Sequence, residues 1–206
     1  MPVCGCYGLI VKLRITYNAP VVLTFALAAV VTFVLTQVAS GTVQWFAAYP
    51  HLDGPRTYVG LFSHILGHAS WEHLIGNFML ILLIGPILEE RHGSVPLLLM
   101  ILVTALVTGL ANLAFGHNMV LGASGVAFMM ILLASMANVR GGEIPLSFIA
   151  VAVIYLGGEI VRSFNNDQVS HMAHLVGGSV GAVFGFLAAS PKTAKAKKSD
   201  LSKIKI

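Results

Sequence analysis

Ser124 has a residue type and sequence surroundings that fit a chemical role. It stands within Gly122-Ala-Ser-Gly125, shortly after the polar break Gly116-His117-Asn118, and an apolar run begins at it. A hydroxyl at a helix N-terminus, beside glycines that permit close approach, is a plausible nucleophile. Small residues also pack helices together without any chemistry, and for the tetrapeptide taken alone that is the simpler interpretation.

A histidine stands at the head of a glycine stripe near the end of the chain. His174, Gly177 and Gly181 recur at helical spacing and share one face. Such a stripe lets a neighbouring backbone approach closely. If that neighbour is the helix that begins at Ser124, His174 reaches the hydroxyl and acts as its general base. His171 lies one turn earlier but does not begin the glycine face, which favours His174.

His73 and Asn77 form a second polar pair in an apolar stretch. Their spacing places both side chains on one helix face, as two donors pointing in one direction. With the backbone N–H of Ser124, they would stabilise the oxyanion of a tetrahedral intermediate, where each donor is typically worth ~10²–10³ in rate. No carboxylate stands where it would orient His174, so the pattern predicts a Ser-His dyad. Phe128, one turn after Ser124, packs against the imidazole or is ordinary core.

The composition identifies the elements that must position these groups. Of the 206 residues, 57% are hydrophobic and only 10% are charged, and the mean hydropathy is +0.87. Globular proteins carry roughly a quarter charged residues, so we predict an integral membrane protein. The formal charge of +4 does not indicate nucleic acid as a partner, because six lysines lie in one tail. Cys4 and Cys6 form neither a CxxC motif nor a disulfide framework.

Six apolar segments alternate with polar breaks, and most are long enough to cross a membrane as helices. They cover residues 19–38, 71–88, 95–115, 124–139, 144–162 and 170–189. We therefore predict an all-α membrane protein, a polytopic bundle of six transmembrane helices with a long first loop. The expected division is an N-terminal segment over 1–18, the membrane domain over 19–190 and a Lys-rich tail over 191–206. The first segment exceeds a usual signal-peptide core, which favours an uncleaved span.

The fourth segment is the shortest of the six. From Ser124 to Val139 it has roughly 16 residues, or about 24 Å of helix against a hydrocarbon core of ~30 Å. We therefore expect Ser124 to start a helix inside the membrane. The irregular backbone over 115–121 must then be buried in protein or line a water-filled cavity.

The basic residues predict the orientation of the bundle. With six spans both termini share a side, and ten basic residues lie on that side: Lys12, Arg14, Arg91, Arg140, Lys192, Lys195, Lys197, Lys198, Lys203 and Lys205. The opposite side has only Arg56 and Arg162. Both termini are therefore expected to be cytoplasmic, with the long first loop and the cavity above Ser124 on the external side.

The ordered set of motifs resembles the rhomboid family of intramembrane serine proteases. The G-x-S-G motif of that family matches Gly122 to Gly125, and its H-x-x-x-N pair matches His73 and Asn77. The A-H-x-x-G-x-x-x-G motif on its last helix matches Ala173 to Gly181. The resemblance covers about residues 56–185, in the order and spacing of the family.

Two further features are similar to the same family. The end of the second segment, Leu88-Glu-Glu-Arg-His-Gly-Ser94, looks like the E-x-x-x-G-S of rhomboids, with Glu89 as the matching glutamate. His64 and His68 stand where bacterial members often carry additional histidines.

The resemblance implies a six-helix rhomboid-like core that cleaves transmembrane segments near their external end. Ser124 would be the nucleophile and His174 the base, with His73, Asn77 and the Ser124 N–H in the oxyanion hole. The structural support would come from Gly122, Gly125, Phe128, Gly177 and Gly181. The implied partners are transmembrane protein substrates, which enter between the second and fifth helices, and the lipid bilayer. No cofactor, metal or ATP is expected. The compact core and the absence of a transit peptide favour a prokaryotic plasma membrane as the location, with an organelle as the alternative.

Three departures from the family pattern concern the entry route of the substrate. Arg56-Thr57-Tyr58 stands near the position of the usual Trp-Arg pair, with shifted spacing. Phe128 replaces the frequent Tyr after the serine motif, and Glu159 lies in the fifth span, where it is expected to face the outer cavity or interface. These differences affect the expected substrate preference and leave the catalytic pair intact.

Two other functions compete with this interpretation. A membrane metalloenzyme would use histidines as ligands, namely His64, His68, His73, His171 and His174. No HExxH motif is present, and no acidic residue accompanies the histidines in the spans as a ligand or base. The second is a non-catalytic membrane protein, either a small transporter or a rhomboid-like protein that binds transmembrane helices; the absence of an internal repeat counts against the transporter.

Overall fold

The computed structural model describes residues 15–136, 144–162 and 171–188. In chain order the helices are α1 (Pro20–Val38), a 3₁₀ helix (Ser40–Phe46), α2 (Pro55–Ser63), α3 (Trp71–His92), α4 (Ser94–Phe115), α5 (Ser124–Ser135), α6 (Leu146–Ala152), a π-helical turn (Val153–Gly157), α7 (Gly158–Arg162) and α8 (His171–Ala188). The described part of the chain contains no strand, only an isolated bridge between Ala48 and Val120. The predicted all-α polytopic bundle is confirmed.

Four helices have the length and hydropathy to cross a membrane, namely α1, α3, α4 and α8. Two shorter apolar helices, Ser124–Ser135 and Leu146–Gly157, complete the predicted set of six. In the most apolar windows of the long helices, only 33–39% of the residues are buried inside the protein. The exposed apolar faces of such helices need hydrocarbon around them, and this chain is therefore an integral membrane protein.

The short helix α5 lies at the centre of the bundle, against α3, α4 and α8. Its 12 residues rise about 18 Å at ~1.5 Å per residue, well short of a ~30 Å hydrocarbon core. Ala123 and Val126 at its start are fully buried. The helix therefore begins within the protein at Ser124 and ends at Ser135. That its start lies inside the membrane stays a prediction.

The glycine stripe of α8 is the surface that meets α5. A Cβ added at Gly177 would lie 2.7 Å from the carbonyl carbon of Gly125, and one added at Gly181 would lie 2.8 Å from the Cα of Met129. Real Cβ atoms do not approach backbone atoms so closely, so the two helices touch through their main chains. The small residues thus hold the first turn of α5 directly against the first turns of α8.

Glu89 joins three helices at the end of the bundle away from Ser124. Its two carboxylate oxygens each accept a 3.0 Å hydrogen bond from the first turn of α1, one from the Val21 N–H and one from the Val22 N–H. The Ser94 hydroxyl at the start of α4 donates to the same carboxylate at 2.7 Å. The first amides of a helix have no partner within the helix, and an anion there also complements the helix dipole. Glu89 therefore anchors α1 to α3 and α4.

The long first loop packs on α4 through its own short helices. Asn112 in α4 donates from Nδ2 to the carbonyl oxygens of Ala48 at 3.1 Å and Asn118 at 3.2 Å. Ala48 and Val120 exchange two backbone hydrogen bonds of 2.8 Å. These contacts connect the first loop to the irregular segment before Ser124, in which residues 117–119 are exposed.

Several sequence predictions fall on residues outside the described ranges. They concern most of the N-terminal segment, the last residues of the predicted fourth span, and the Lys-rich tail over 191–206. The backbone of Glu159 lies in α7, and the structure does not describe its side chain, so the direction in which this side chain faces stays a prediction. The domain limits and these expectations stay predictions.

Candidate active site

Ser124 is the first residue of α5 and is half-buried between two buried neighbours, Ala123 and Gly125. A Cβ at Gly125 would lie 3.1 Å from the carbonyl oxygen of Ala173, the residue that precedes His174. The Ser124 turn of α5 therefore rests on the His174 turn of α8.

His174 lies flat against an aromatic ring of α5. The imidazole and the Phe128 ring are stacked, with centroids 4.4 Å apart and an interplanar angle of 7°. Phe128 is in turn held edge-on by Tyr155 of the π-helical turn, with centroids 5.7 Å apart. Because Phe128 is one turn after Ser124 on the same helix, the stack holds the imidazole beside the helix face that carries the hydroxyl.

The His73 and Asn77 side chains lie against the backbone just before Ser124. Gly122 has φ +130°, and a Cβ there would lie 2.7 Å from both Cε1 and Nε2 of His73 and 3.6 Å from Nδ2 of Asn77. Positive φ is strained for residues with a Cβ, so both the conformation and the space require glycine. The polar groups predicted on three separate spans thus converge near the start of α5.

The first turn of α3 is fixed by a side-chain cap. The Ser70 hydroxyl accepts a 3.2 Å hydrogen bond from the His73 backbone N–H. Such a cap satisfies one of the free amides at a helix N-terminus and stabilises the first turn by ~1 kcal/mol. It fixes the direction in which His73, and Asn77 one turn later, leave the helix.

Two other histidines form a buried polar network beneath this site, in the connection between α2 and α3. His64 lies between the Gly60 carbonyl oxygen, 2.9 Å from its Nδ1, and the Thr108 hydroxyl, 3.1 Å from its Nε2. His68 contacts the Leu66 carbonyl oxygen and the Asn77 amide. Burial lowers the pKa of His64 and of His68 to about 4, although each accompanying backbone hydrogen bond raises it. Both imidazoles are therefore neutral at ordinary pH.

The sequence contained a signal for part of this network. Thr104, Thr108 and Asn112 repeat every fourth residue along the otherwise apolar α4 and lie on one buried face. Thr108 contacts His64, and Asn112 contacts the loop before Ser124. A polar stripe on a membrane helix predicts polar contacts inside a bundle. The motifs of the serine and the histidines do not include this stripe.

The histidines of the alternative metalloenzyme interpretation fall into pairs. The rings of His68 and His73 are 5.0 Å apart between centroids, and those of His171 and His174 are 6.4 Å apart. Over the described residues, no group of three or more His, Cys, Asp or Glu side chains is arranged to hold a metal ion.

Comparison with known proteins agrees with this architecture. The model of the rhomboid domain matches residues 55–191, which is more than half of the chain. The chain belongs to the rhomboid family. The matched range includes every residue of the candidate site, from His73 to Gly181.

The similar proteins include several that are named as rhomboid proteases. The chain is 23% identical to rhomboid protease GlpG of Haemophilus influenzae, over 70% of this chain and 78% of that protein. It is 29% identical to the putative rhomboid protease YdcA of Bacillus subtilis, over 64% of this chain and 68% of that protein. These names indicate intramembrane proteolysis as the activity at the level of the family.

One relative of higher identity is a longer protein. Rhomboid-related protein 1 of Caenorhabditis elegans is 32% identical over 61% of this rhomboid chain, and the match covers 38% of that protein. The chain therefore spans well under two thirds of this relative.

Proposed function

We propose that this rhomboid is an intramembrane serine endopeptidase, with Ser124 as nucleophile and His174 as general base. The observation that carries the proposal is the stack of His174 on Phe128, one turn after Ser124, across a glycine-lined helix contact. A stacked imidazole beside a serine at a buried helix start has the rigidity that nucleophilic catalysis requires.

The proposed reaction follows the chemistry of acyl transfer. The Ser124 Oγ attacks the carbonyl carbon of the scissile peptide bond while His174 takes the hydroxyl proton. The tetrahedral intermediate collapses, the C–N bond breaks, and His174 returns the proton to the leaving amine. Water then attacks the acyl carbon while His174 takes a proton from the water, the ester C–O bond breaks, and His174 returns that proton to the Ser124 Oγ as the carboxylic acid product leaves.

The proposed oxyanion hole consists of the Ser124 N–H, the His73 imidazole and the Asn77 amide. Its support is the crowding of His73 and Asn77 against Gly122, two residues before the nucleophile. Donors held in a low-dielectric site need no reorganisation as the negative charge develops, and each is typically worth ~10²–10³ in rate.

The proposed substrates are transmembrane segments of membrane proteins, cut near their external end. The basic residues predict that both termini are cytoplasmic, and Ser124 then lies below the first loop on the external side. Substrate entry is proposed between α3 and the α6 segment, as the family resemblance implies. The proposed location is a prokaryotic plasma membrane.

The experiment that tests this function is cleavage of a generic transmembrane substrate by the purified protein in lipid vesicles. We expect cleavage by wild type and by His171→Ala, and none by Ser124→Ala or His174→Ala. His171 is the matched control because it is a buried histidine one turn from His174. Loss of cleavage in His171→Ala but not in His174→Ala would refute the assignment of the base. Binding of the substrate without cleavage by wild type would favour a non-catalytic helix-binding protein.

A further inference from the structure

His68 is a buried imidazole that the proposed reaction does not use. It lies in the connection between α2 and α3, and only 2% of it is exposed. Its ring is enclosed by two aromatic neighbours, His73 at 5.0 Å and Phe78 at 5.8 Å between centroids. The ring therefore has little freedom to change its orientation.

The hydrogen bonds of His68 define which nitrogen carries its proton. Nδ1 is 3.2 Å from the carbonyl oxygen of Leu66, which can only accept, so Nδ1 is the protonated nitrogen. Nε2 of the neutral ring is then an acceptor. Burial favours this neutral form by holding the pKa of His68 at about 4.

Two donors converge on Nε2 of His68, and both belong to the candidate site. The Asn77 Nδ2 is 3.1 Å away, and the backbone N–H of Ala123, which precedes the nucleophile, is at a longer 3.4 Å. One lone pair therefore connects the proposed oxyanion donor on α3 with the start of α5.

We propose that His68 is a positioning residue that selects the orientation of the Asn77 carboxamide; this inference rests on the proposed function. A carboxamide has nearly the same shape in its two flipped orientations, but only one of them presents N–H groups to the site. The Nε2 acceptor of His68 attracts the nitrogen and repels the oxygen. The second N–H of Asn77 is thereby kept as a donor beside Gly122, where Nδ2 already lies 3.6 Å from the position of an added Cβ.

Without His68, Asn77 would face an apolar neighbour, and its carboxamide could flip so that the oxygen points toward the oxyanion. The partly negative carboxamide oxygen would then repel the negatively charged oxygen of the intermediate. The Asn77 donor would then be present for only part of the time. The effect of removing His68 must therefore be smaller than the effect of removing Asn77, and it must act through Asn77. A residue that only fills space would not act through Asn77, so its effect would add to that of Asn77→Ala.

The test is a double-mutant cycle of His68→Leu and Asn77→Ala in the full chain, with kcat and KM measured on a transmembrane substrate in vesicles. We expect Asn77→Ala to lower kcat by ~10²–10³. His68→Leu should lower kcat by roughly tenfold or more with KM within about twofold, and the double variant should be no slower than Asn77→Ala.

His64→Leu is the matched control, because His64 is equally buried, has a similarly lowered pKa and makes no hydrogen bond to Asn77. Its kcat per folded protein should stay within about threefold of wild type. Activities are compared only for variants whose melting in detergent shows a folded protein.

Additive losses in the double variant would overturn the role of His68, as would equal losses of kcat in His64→Leu and His68→Leu. An unchanged kcat in Asn77→Ala would overturn it as well, because His68 would then have no target. Ser124→Ala on the same substrate tests the proposed function separately. If the losses are additive and cleavage still requires Ser124, only the role of His68 is refuted. If Ser124→Ala cleaves the substrate, the proposed serine protease function is refuted.

Discussion

Substitution of Gly177 by alanine should uncouple the proposed catalytic pair without unfolding the protein. A Cβ at this position would lie 2.7 Å from the carbonyl carbon and 2.8 Å from the Cα of Gly125, and closer still to its carbonyl oxygen. These are backbone atoms of α5, so no side-chain rotation relieves the clash. The helices α5 and α8 must move apart.

The size of the movement follows from ordinary contact distances, which begin at 3.4 Å for such a Cβ. The helices must separate by roughly 1 Å, and misplacement of a catalytic group by ~1 Å can cost ~10² in rate. His174 lies one turn before Gly177 on the same face and moves with it. We therefore expect kcat to fall by about 10²-fold, with overpacking lowering stability by about 1–3 kcal/mol.

The assay compares Gly177→Ala with Gly76→Ala in lipid vesicles, with kcat for substrate cleavage and thermal melting measured for both. Gly76 is an exposed helical glycine of α3, and nothing lies within 4 Å of an added Cβ. Because alanine favours a helix over glycine by ~0.8–1 kcal/mol, Gly76→Ala should keep full activity and lose no stability. A folded Gly177→Ala that cleaves as fast as Gly76→Ala would refute the reasoning.

Three other perturbations have defined outcomes. In Gly122→Ala the new Cβ displaces the His73 ring, and the φ of +130° costs about 1–3 kcal/mol of stability. Because His73 is a proposed oxyanion donor, we expect kcat to fall by ~10²-fold or more. An unchanged kcat would contradict the proposed oxyanion hole. Glu89→Ala leaves the first amides of α1 without an acceptor, so we expect the free energy of unfolding to fall by about 2–4 kcal/mol and kcat per folded protein to stay unchanged. An unchanged melting temperature would contradict the role of Glu89 in anchoring α1. His64 and His68 have pKa values of about 4 in the folded protein and ~6.5 in the unfolded chain. Between these pH values the unfolded chain binds more protons, so the melting temperature should fall as pH falls from about 6.5 to 4. A melting temperature that does not change over this range would contradict the burial of both imidazoles as neutral groups.

Hydropathy and spacing were sufficient to predict the central arrangement of this protein. The apolar run after Ser124 correctly predicted a short helix that begins at this residue. That this start lies inside the membrane stays a prediction. The glycines after His174 correctly predicted a close helix contact, since only a backbone neighbour needs a face without side chains. Both signals are local, and local patterns can be read from sequence.

The contacts that depend on tertiary packing were not predicted. Glu89 was noticed only through its resemblance to a motif, because its partners are amides of α1 that are 67 and 68 residues away. The bond between His68 and Asn77 depends on the path of the connection between α2 and α3, which has no periodicity to read. Irregular backbone takes its shape from what it packs against, so such residues become informative only in the folded chain.

The measurement that tests the central claim most directly is covalent labelling with a fluorophosphonate probe in detergent micelles. Wild type, Ser124→Ala and His174→Ala are compared at equal amounts of folded protein. Labelling of wild type alone is the predicted result, because the probe reacts with a serine hydroxyl only when a base activates it. Equal labelling of His174→Ala and wild type, or no labelling of folded wild type, would contradict the Ser124–His174 pair.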